Sequence, residues 1–160
     1  MGRVLTVEEM LGERRRLREA GLTLAFANGH FDLLHVGHLR YLEAARRTAD
    51  RLIVGVNDDE SVARLKGAGR PLAPAAERAE LLAGLRAVDY VVVFSGDTPA
   101  PLIAALQPEV HCKGTDYGSP EAVPEYETVR AYGGSTRLVG DPKDHATRDL
   151  IARARALPAD

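Results

Sequence analysis

The chain has 160 residues, of which 45% are hydrophobic and 28% are charged. That size and balance suit one folded domain over residues 1–160 and exclude a disordered chain. The 21 basic and 23 acidic residues nearly cancel, which excludes an overall field that would recruit nucleic acid or an anionic membrane. The single cysteine, Cys112, excludes an intrachain disulfide, and no apolar run reaches the length of a signal peptide or a membrane span. We therefore expect a cytoplasmic protein.

The first predicted element is a helix that opens at Thr6. Thr6 and Glu9 have the spacing of a capping box, in which each side chain binds the other residue's backbone amide, and Gly21 supplies a C-terminal stop. An arginine run at residues 14–16 lies within this helix. We interpret the run as the solvated face of the helix rather than as a nucleic-acid contact.

Downstream of this helix, short apolar runs alternate with helical patterns. A run that is apolar on both faces is typical of a strand buried between two layers of helix, and strand–helix alternation predicts a parallel sheet. The predicted fold class is α/β, with a doubly wound, Rossmann-like, mainly parallel five-stranded sheet and helices on both faces. The predicted strands cover residues 22–27, 51–56, 90–94, 110–113 and 136–139, and the later helices cover 38–49, 60–65, 75–85, 99–106, 120–132 and 147–157.

Ligands of such sheets bind at the carboxyl edge of the strands, near the point where the strand order reverses. Segments 66–74 and 113–124 are rich in glycine, proline and polar residues. We predict that both are loops beside the binding site.

The first long strand leads into two histidines at the start of a helix. His35 and His38 flank Gly37, and His38 is predicted to open the helix. A helix N-terminus offers unpaired amides and a partial positive charge, so it favours phosphate, and two imidazoles there add directional donors. Gly37 keeps the backbone accessible where a phosphate must come close. The pattern therefore predicts a phosphate site.

The residues around these histidines resemble a known signature, that of the cytidylyltransferase-like nucleotidyltransferases: Gly29-x-Phe31-Asp32-x-x-His35-x-Gly37-His38. Further segments along nearly the whole chain look like the bacterial heptose-phosphate nucleotidyltransferases, which make ADP-heptose for lipopolysaccharide core or S-layer glycans. The segment Lys113-Gly114-Thr115-Asp116-Tyr117 most favours this branch. The resemblance implies an enzyme that transfers a nucleoside monophosphate from an NTP, with ATP expected, to heptose 1-phosphate. It also suggests a homodimer.

The resemblance and the chemistry of phosphate transfer together imply roles for individual residues. The expected catalytic residues are His35, His38 and Lys66. Nucleotide binding is expected of Asn28, Gly29, Phe31, Gly37, Asn57, Thr147 and Arg148. Binding of the phosphorylated acceptor is expected of Asp32, Arg70, Lys113, Gly114 and Asp116.

The reaction itself limits what the protein must supply. A sugar 1-phosphate has a second pKa of about 6, so it is largely dianionic at neutral pH and attacks the α-phosphorus without a general base. The protein must hold the reactants in line and neutralise charge on the α-phosphate and the leaving pyrophosphate. We expect Lys66 to close over the triphosphate, and Mg²⁺ to accompany the NTP. His-x-x-His without a third ligand does not make a zinc site, so no metal site built from protein ligands is expected.

The chain departs from the family before its last helix. The family there carries a Ser-Thr-Thr or Ser-Thr-Ser triplet whose hydroxyls and amides bind the nucleotide phosphates. The matching residues here are Ala146, Thr147 and Arg148, so only Thr147 keeps its hydroxyl. Arg148 could supply a permanent charge in place of the missing hydroxyls, and His145 could replace a hydroxyl donor.

Other functions share parts of this pattern. A transferase acting on glycerol 3-phosphate, phosphoethanolamine or phosphopantetheine would carry the same signature, and a nucleotide-binding regulatory or scaffold protein could keep the fold after losing turnover. A truncated class I aminoacyl-tRNA synthetase would share His-x-Gly-His, but the charge balance leaves no basic surface for tRNA. Away from the signature, we expect His111 to be a structural histidine with satisfied hydrogen bonds and Cys112 to be a small buried hydrophobe.

Overall fold

The computed structural model describes residues 1–142 and 145–158, and six strands within them form one parallel sheet. The strands are β1 (Arg3–Leu5), β2 (Leu24–Gly29), β3 (Arg51–Asn57), β4 (Tyr90–Phe94), β5 (Val110–Lys113) and β6 (Ser135–Leu138). The helices are α1 (Val7–Glu19), α2 (Val36–Arg46), α3 (Asp59–Lys66), α4 (Ala75–Ala83), α5 (Ala100–Leu106), α6 (Tyr126–Ala131) and α7 (Thr147–Arg155).

The strand order is β1-β4-β3-β2-β5-β6. The chain runs outward from β2 through β3 to β4, and then returns to add β5 and β6 on the other side of β2. The order therefore reverses between β2 and β5. In parallel sheets this is the position at which a crevice opens beyond the carboxyl ends of the strands.

The core lies on both faces of the sheet, because successive strand residues point to opposite faces. Ala25 and Leu52 pack in a cluster with residues of α2 and α4, whereas the next residues, Phe26 and Ile53, pack in a second cluster with residues of α1 and α5. This arrangement confirms the predicted doubly wound α/β fold. No helix in the described part of the chain is long and apolar enough to cross a membrane.

Strand β1 is a sixth strand that the sequence did not predict. It pairs in parallel with β4 at the sheet edge and is only three residues long, with Leu5 buried and Arg3 and Val4 exposed. A segment that short carries no period by which a strand can be recognised.

The termini of α1 follow the predicted capping chemistry. Thr6 accepts a hydrogen bond from the Glu9 amide, and the Glu9 carboxylate accepts one from the Thr6 amide. At the other end, Gly21 has a φ of 69°, and its amide donates to Arg18 while that of Leu22 donates to Leu17. These two bonds form a Schellman motif, in which glycine tolerates the left-handed conformation.

Two expectations about helices were wrong in part. The predicted helix over 120–132 is a 3₁₀ turn at Pro120–Ala122 followed by the short helix α6, because Pro124 disfavours the helical conformation at Val123 and lacks an amide proton. Helix α2 begins at Val36 with His35 as its N-cap, so His38 lies in the first turn instead of opening the helix.

The arginine run is not uniformly solvated either. Arg15 and Arg16 are exposed, but Arg14 is buried. Its guanidinium donates to the carbonyls of Leu106 and Gln107 and to the Glu109 carboxylate. These bonds join α1 to the segment that follows α5, and they compensate the burial of the charge.

Candidate active site

The predicted site residues all line one cleft of about 900 Å³ at the carboxyl edge of the sheet, between the ends of β2 and β5. The predicted loops contribute Arg70 on one side and Thr115 to Tyr117 on the other. Their roles remain predictions. The set is Asn28, Gly29, Phe31, Asp32, His35, Gly37, His38, Asn57, Lys66, Arg70, Lys113, Gly114, Asp116, Thr147 and Arg148.

The two histidines stack against each other at the N-terminus of α2. Their ring centroids are 3.8 Å apart, with 21° between the planes. The His35 amide donates to Nδ1 of His38 at 3.4 Å, so in the neutral His38 ring Nδ1 is the acceptor and the proton lies on Nε2. The first turn of α2 thus presents ring donors beside its backbone amides.

Gly37 makes this stacking possible. A Cβ atom at position 37 would lie 3.0 Å from His35 Nδ1 and 3.2 Å from the Cβ of His145. A larger residue would push one of these side chains away from α2, so the glycine lets His145 and the histidine pair approach the same cleft wall.

Phe31 supports the histidines from below. Its ring is buried and meets His38 edge to face at a centroid distance of 5.3 Å. The same ring lies against Gly29, where a Cβ atom would be 3.2 Å from the Phe31 Cε2. Phe31 and Leu33 have φ values of 48° and 63°, a left-handed conformation that costs non-glycine residues energy and persists only where the surroundings fix it.

Asp32 holds the loop that contains Arg70, Leu72 and Ala73. Its buried carboxylate forms an ion pair with Arg70 at 2.7 Å and accepts hydrogen bonds from the amides of Leu72 and Ala73. Burial alone would raise the pKa of Asp32, but the amide hydrogen bonds and Arg70 outweigh it and lower the pKa. Protein donors therefore already occupy the oxygens that were expected to bind the acceptor.

Arg78 holds together the elements around the cleft, and no role was assigned to it from the sequence. Its side chain is 1% exposed and donates to the carbonyls of His30, Asn57 and Ala73, and to the Asp59 carboxylate. These bonds join the loop after β2 to the end of β3 and the start of α4. A charged residue on the apolar face of α4, four residues before Leu82, was the available signal.

Lys66 is the last residue of α3 and is exposed. It lines the rim of the cleft on the same side as Arg70. Its charge acts on His30 in the cleft wall. Burial lowers the pKa of His30 to about 4, with further contributions from the positive charges of Lys66, Arg78 and Arg70. His30 is therefore neutral near pH 7 and adds no charge to the cleft.

Lys113 and His111 meet Asn28 across the reversal point. Lys113 Nζ is 3.4 Å from Asn28 Oδ1 and 5.4 Å from the centre of the Tyr117 ring. His111 Nε2 is 3.1 Å from the same oxygen. His111 is buried, but the prediction that its hydrogen bonds are satisfied is wrong in part, because its Nδ1 has no hydrogen-bond partner among the described residues. The prediction for Cys112 is confirmed, since it is fully buried.

Helix α7 forms another wall of the cleft, and within the described residues fewer hydrogen bonds hold it than hold the loop between β2 and α2. The Thr147 hydroxyl donates to the carbonyl of Asp32 at 3.0 Å, so the one hydroxyl that remains of the family triplet touches the signature loop. Arg148 is 88% exposed, and its Nε lies 3.6 Å from the Asp149 carboxylate. The His145 ring is 6.3 Å from the His35 ring.

Three further polar side chains complete the cleft. Asn57 is buried and donates to the Gly96 carbonyl, and Asp116 folds over Gly114, where a Cβ atom would lie 2.6 Å from Oδ1. Glu125, which no motif predicted, is 5% exposed. One of its oxygens accepts from Thr98 at 3.4 Å, and the other has no hydrogen-bond partner in the described part of the chain.

As far as the described residues go, a cation in this cleft would take much of its coordination from its ligand. Within residues 1–142 and 145–158, no group of three or more histidine, cysteine or acidic side chains could hold a metal ion. Mg²⁺ commonly binds through one or two carboxylates together with substrate phosphates and water. The described residues fit a magnesium ion that enters with a triphosphate, and they do not themselves form a cage for it.

Residues 26–150 match the model of the cytidylyltransferase-like family. Because the match covers more than half of the chain, the protein belongs to the cytidylyltransferase-like family of nucleotidyltransferases.

Two curated relatives share the name bifunctional protein HldE. That of Pseudomonas paraeruginosa is 48% identical over 152 residues, 95% of this chain and 32% of the relative. That of Geotalea uraniireducens is 53% identical over 135 residues, 84% of this chain and 27% of the relative. The chain therefore spans a third or less of the length of these relatives.

A solved structure has a similar fold. The lipopolysaccharide core biosynthesis protein from Thermoplasma volcanium GSS1 aligns with a TM-score of 0.64 at 26% identity, covering 76% of this chain and all of that chain. The resemblance to bacterial heptose-phosphate nucleotidyltransferases is thus confirmed at the level of family and relatives.

Proposed function

We infer that this protein transfers a nucleoside monophosphate from an NTP, ATP by preference, to a sugar 1-phosphate, heptose 1-phosphate by preference, and releases pyrophosphate. The observation that carries the inference is the stacked pair His35 and His38 at the N-terminus of α2, next to the reversal point of the sheet. Helix amides and ring donors at that position favour a phosphate in transfer.

The reaction joins the acceptor to the α-phosphate. A phosphate oxygen of the acceptor forms a bond to the α-phosphorus, the bond to the bridging oxygen of the β-phosphate breaks, and the electron pair leaves with pyrophosphate. Because the acceptor is already a dianion, no side chain has to remove a proton. The Nε2 proton of His38 donates to oxygens whose charge grows in the transition state.

The remaining cations lie around this point. Lys66 and Arg70 line the rim on one side and Lys113 lines it on the other. We assign Lys66 to the leaving pyrophosphate, since a flexible ammonium can follow it out of the cleft, and Lys113 to the acceptor phosphate. Mg²⁺ would enter with the NTP and supply charge neutralisation on the phosphates.

Two observations favour a sugar acceptor over glycerol phosphate or phosphoethanolamine. The similar Thermoplasma structure is that of a lipopolysaccharide core biosynthesis protein. The buried Glu125 carboxylate at the cleft offers acceptor oxygens suited to the several hydroxyls of a sugar, which phosphoethanolamine lacks. A Glu125→Gln variant is then expected to raise the KM for the sugar phosphate about tenfold while the KM for NTP changes less than twofold. An equal rise in both constants would contradict this assignment.

The test of the function is pyrophosphate release with ATP, CTP, GTP and UTP against heptose 1-phosphate, glycerol 3-phosphate, phosphoethanolamine and phosphopantetheine. Release with ATP and heptose 1-phosphate, and its loss in His38→Ala, would support the proposal. A different preferred acceptor would assign the protein to a neighbouring branch of the family. No release with any pair, together with nucleotide binding, would support the regulatory or scaffold alternative.

The setting of the enzyme is part of the same proposal. We place the protein in the cytoplasm, where NTPs are made, and expect the homodimer that the family resemblance suggests. Sedimentation of the purified chain tests the homodimer: a single species with the mass of two chains supports it, and a monomer at the concentration used for assay contradicts it.

A further inference from the structure

We propose that His111 is a positioning residue that orients the Asn28 side chain so that its amide nitrogen donates a hydrogen bond to a phosphate group bound in the cleft. The proposal rests on the proposed function for the identity of the phosphate compounds. It concerns a residue that does not itself line the cleft, and it gives a buried histidine a part in ligand binding.

The sheet brings the three side chains together. In the register of β2 and β5, Phe26 is paired with His111 and Ala27 with Cys112. Asn28 and Lys113 come next along their strands, where the crevice begins, and both line the cleft. His111 lies one step below them and is 0% exposed, so it acts on a ligand only through its neighbours.

The contact with Lys113 identifies which atom of the Asn28 amide is the oxygen. The Lys113 ammonium has only donors, so the Asn28 atom 3.4 Å away must be the oxygen. That same oxygen is 3.1 Å from His111 Nε2, which therefore donates and carries the ring proton. Nδ1 of His111 is then the bare nitrogen, in keeping with its lack of a hydrogen-bond partner among the described residues.

The ring cannot readily reverse these roles. Burial and the charge of Lys113 lower the pKa of His111 to about 3, so the ring is neutral at physiological pH. A neutral ring has one proton, and only the Nε2 tautomer donates to Asn28. A buried polar nitrogen without a partner is costly, and a structural histidine has little reason to carry that cost.

The consequence lies on the other side of the amide. With Oδ1 held by two donors, Nδ2 carries both of its protons away from them, and within the described residues it makes no hydrogen bond. Asn28 therefore offers a directed donor at the floor of the cleft. Without His111 the amide keeps the longer 3.4 Å contact with the flexible Lys113 side chain, which leaves it able to rotate and present its oxygen, and that oxygen repels phosphate.

Nitrogen NMR of the imidazole tests the arrangement without any turnover. The His111 ring should show a protonated Nε2 and an unprotonated Nδ1 at neutral pH. A protonated Nδ1 would overturn the proposal, because His111 would then accept from Asn28 and turn its oxygen to the ligand.

Binding and kinetics test the consequence. His111→Leu removes the donor, whereas His111→Gln retains an amide donor at nearly the position of Nε2. We expect His111→Leu to weaken by about tenfold either the Kd for ATP or the KM for the sugar phosphate, and His111→Gln to stay within about threefold of the parent. The constant that changes identifies which phosphate Asn28 binds.

Thr136→Val is the matched control, because Thr136 is paired with His111 in the sheet and its buried hydroxyl also lacks a hydrogen-bond partner in the described residues. It should change neither constant. Equal losses in the leucine and glutamine variants that follow their thermal stability would show a purely structural histidine. A parent protein that binds ATP but releases no pyrophosphate would contradict the proposed function, whereas the NMR and ATP-binding results would still decide the role of His111.

Discussion

The two walls that carry phosphate-binding candidates are held in different ways. Buried side chains hold the signature loop, which connects β2 to α2. The Phe31 ring packs against His38, and the Asp32 carboxylate pairs with Arg70. Arg78 donates hydrogen bonds to three backbone carbonyls. Helix α7 has no buried side chain among its residues and touches the loop through the Thr147 hydroxyl.

The difference separates the precise part of the site from the adaptable part. Catalytic groups need positions fixed to a fraction of an ångström, which buried hydrogen-bonded networks provide. A helix that is held by few contacts has low local stability and can move with a ligand. The departure from the family, at Ala146 and Arg148, falls on the lightly held wall, so a change there can alter how phosphate is bound without disturbing the histidines.

The largest loss of stability should follow substitution of Arg78. We expect Arg78→Leu to lower the free energy of unfolding by about 2–4 kcal/mol, because three backbone carbonyls and the Asp59 carboxylate lose a buried partner. Urea unfolding measures it. Arg130→Leu is the matched control, since its ion pair with Glu127 is exposed and its loss should change the free energy of unfolding far less. Equal losses in the two variants would remove the special position of the signature loop.

The second effect concerns the dependence of stability on pH. The folded pKa of Asp32 is lowered, so its contribution is present above the unfolded pKa of about 3.9 and is lost as the pH falls through the folded value. We expect Asp32→Asn to be less stable than the parent at pH 7, and the two proteins to converge as the pH falls below about 4. Glu127→Gln, on an exposed pair, should show no such convergence. A constant difference between parent and Asp32→Asn at all pH values would contradict the assignment.

The lightly held wall should respond in binding and not in stability. If Arg148 replaces the missing hydroxyls, Arg148→Ala should raise the KM for NTP about tenfold, or about 1.4 kcal/mol, with unchanged thermal unfolding. The double variant Ala146→Ser and Arg148→Thr should keep NTP affinity roughly level, because it restores the family pattern. Nucleotide titration decides between the two ideas: affinity within twofold of the parent in Arg148→Ala would mean that Thr147 and the helix amides suffice.

Much of this arrangement could be predicted from local sequence. Some features depend only on residues that are close together in the chain, so their patterns can be recognised in the sequence. They are the capping box at Thr6, the buried strands and the histidine loop between β2 and α2. The same holds for the gathering of site residues, since parallel strands bring their carboxyl ends to one edge.

Other features depend on contacts between distant residues. The burial of Arg14 requires the carbonyls of Leu106 and Gln107, about 90 residues away, and the role of His111 requires Asn28 from another strand. The spacing of residues in the local sequence does not reveal contacts between residues that lie far apart in the chain. The break at Pro124 is different, because proline chemistry alone should have ended the helix predicted over 120–132.

The proposed function depends most on the histidine pair, which we expect to stabilise the phosphate in transfer. The most direct measurement is the steady-state rate of pyrophosphate release from ATP and heptose 1-phosphate by the parent, His35→Ala and His38→Ala, each with its thermal unfolding curve. We expect kcat to fall at least about 100-fold in each variant, or about 2.7 kcal/mol of transition-state stabilisation, while the unfolding temperature stays within a few degrees of the parent. A variant with a kcat near that of the parent and an unchanged unfolding curve would contradict it.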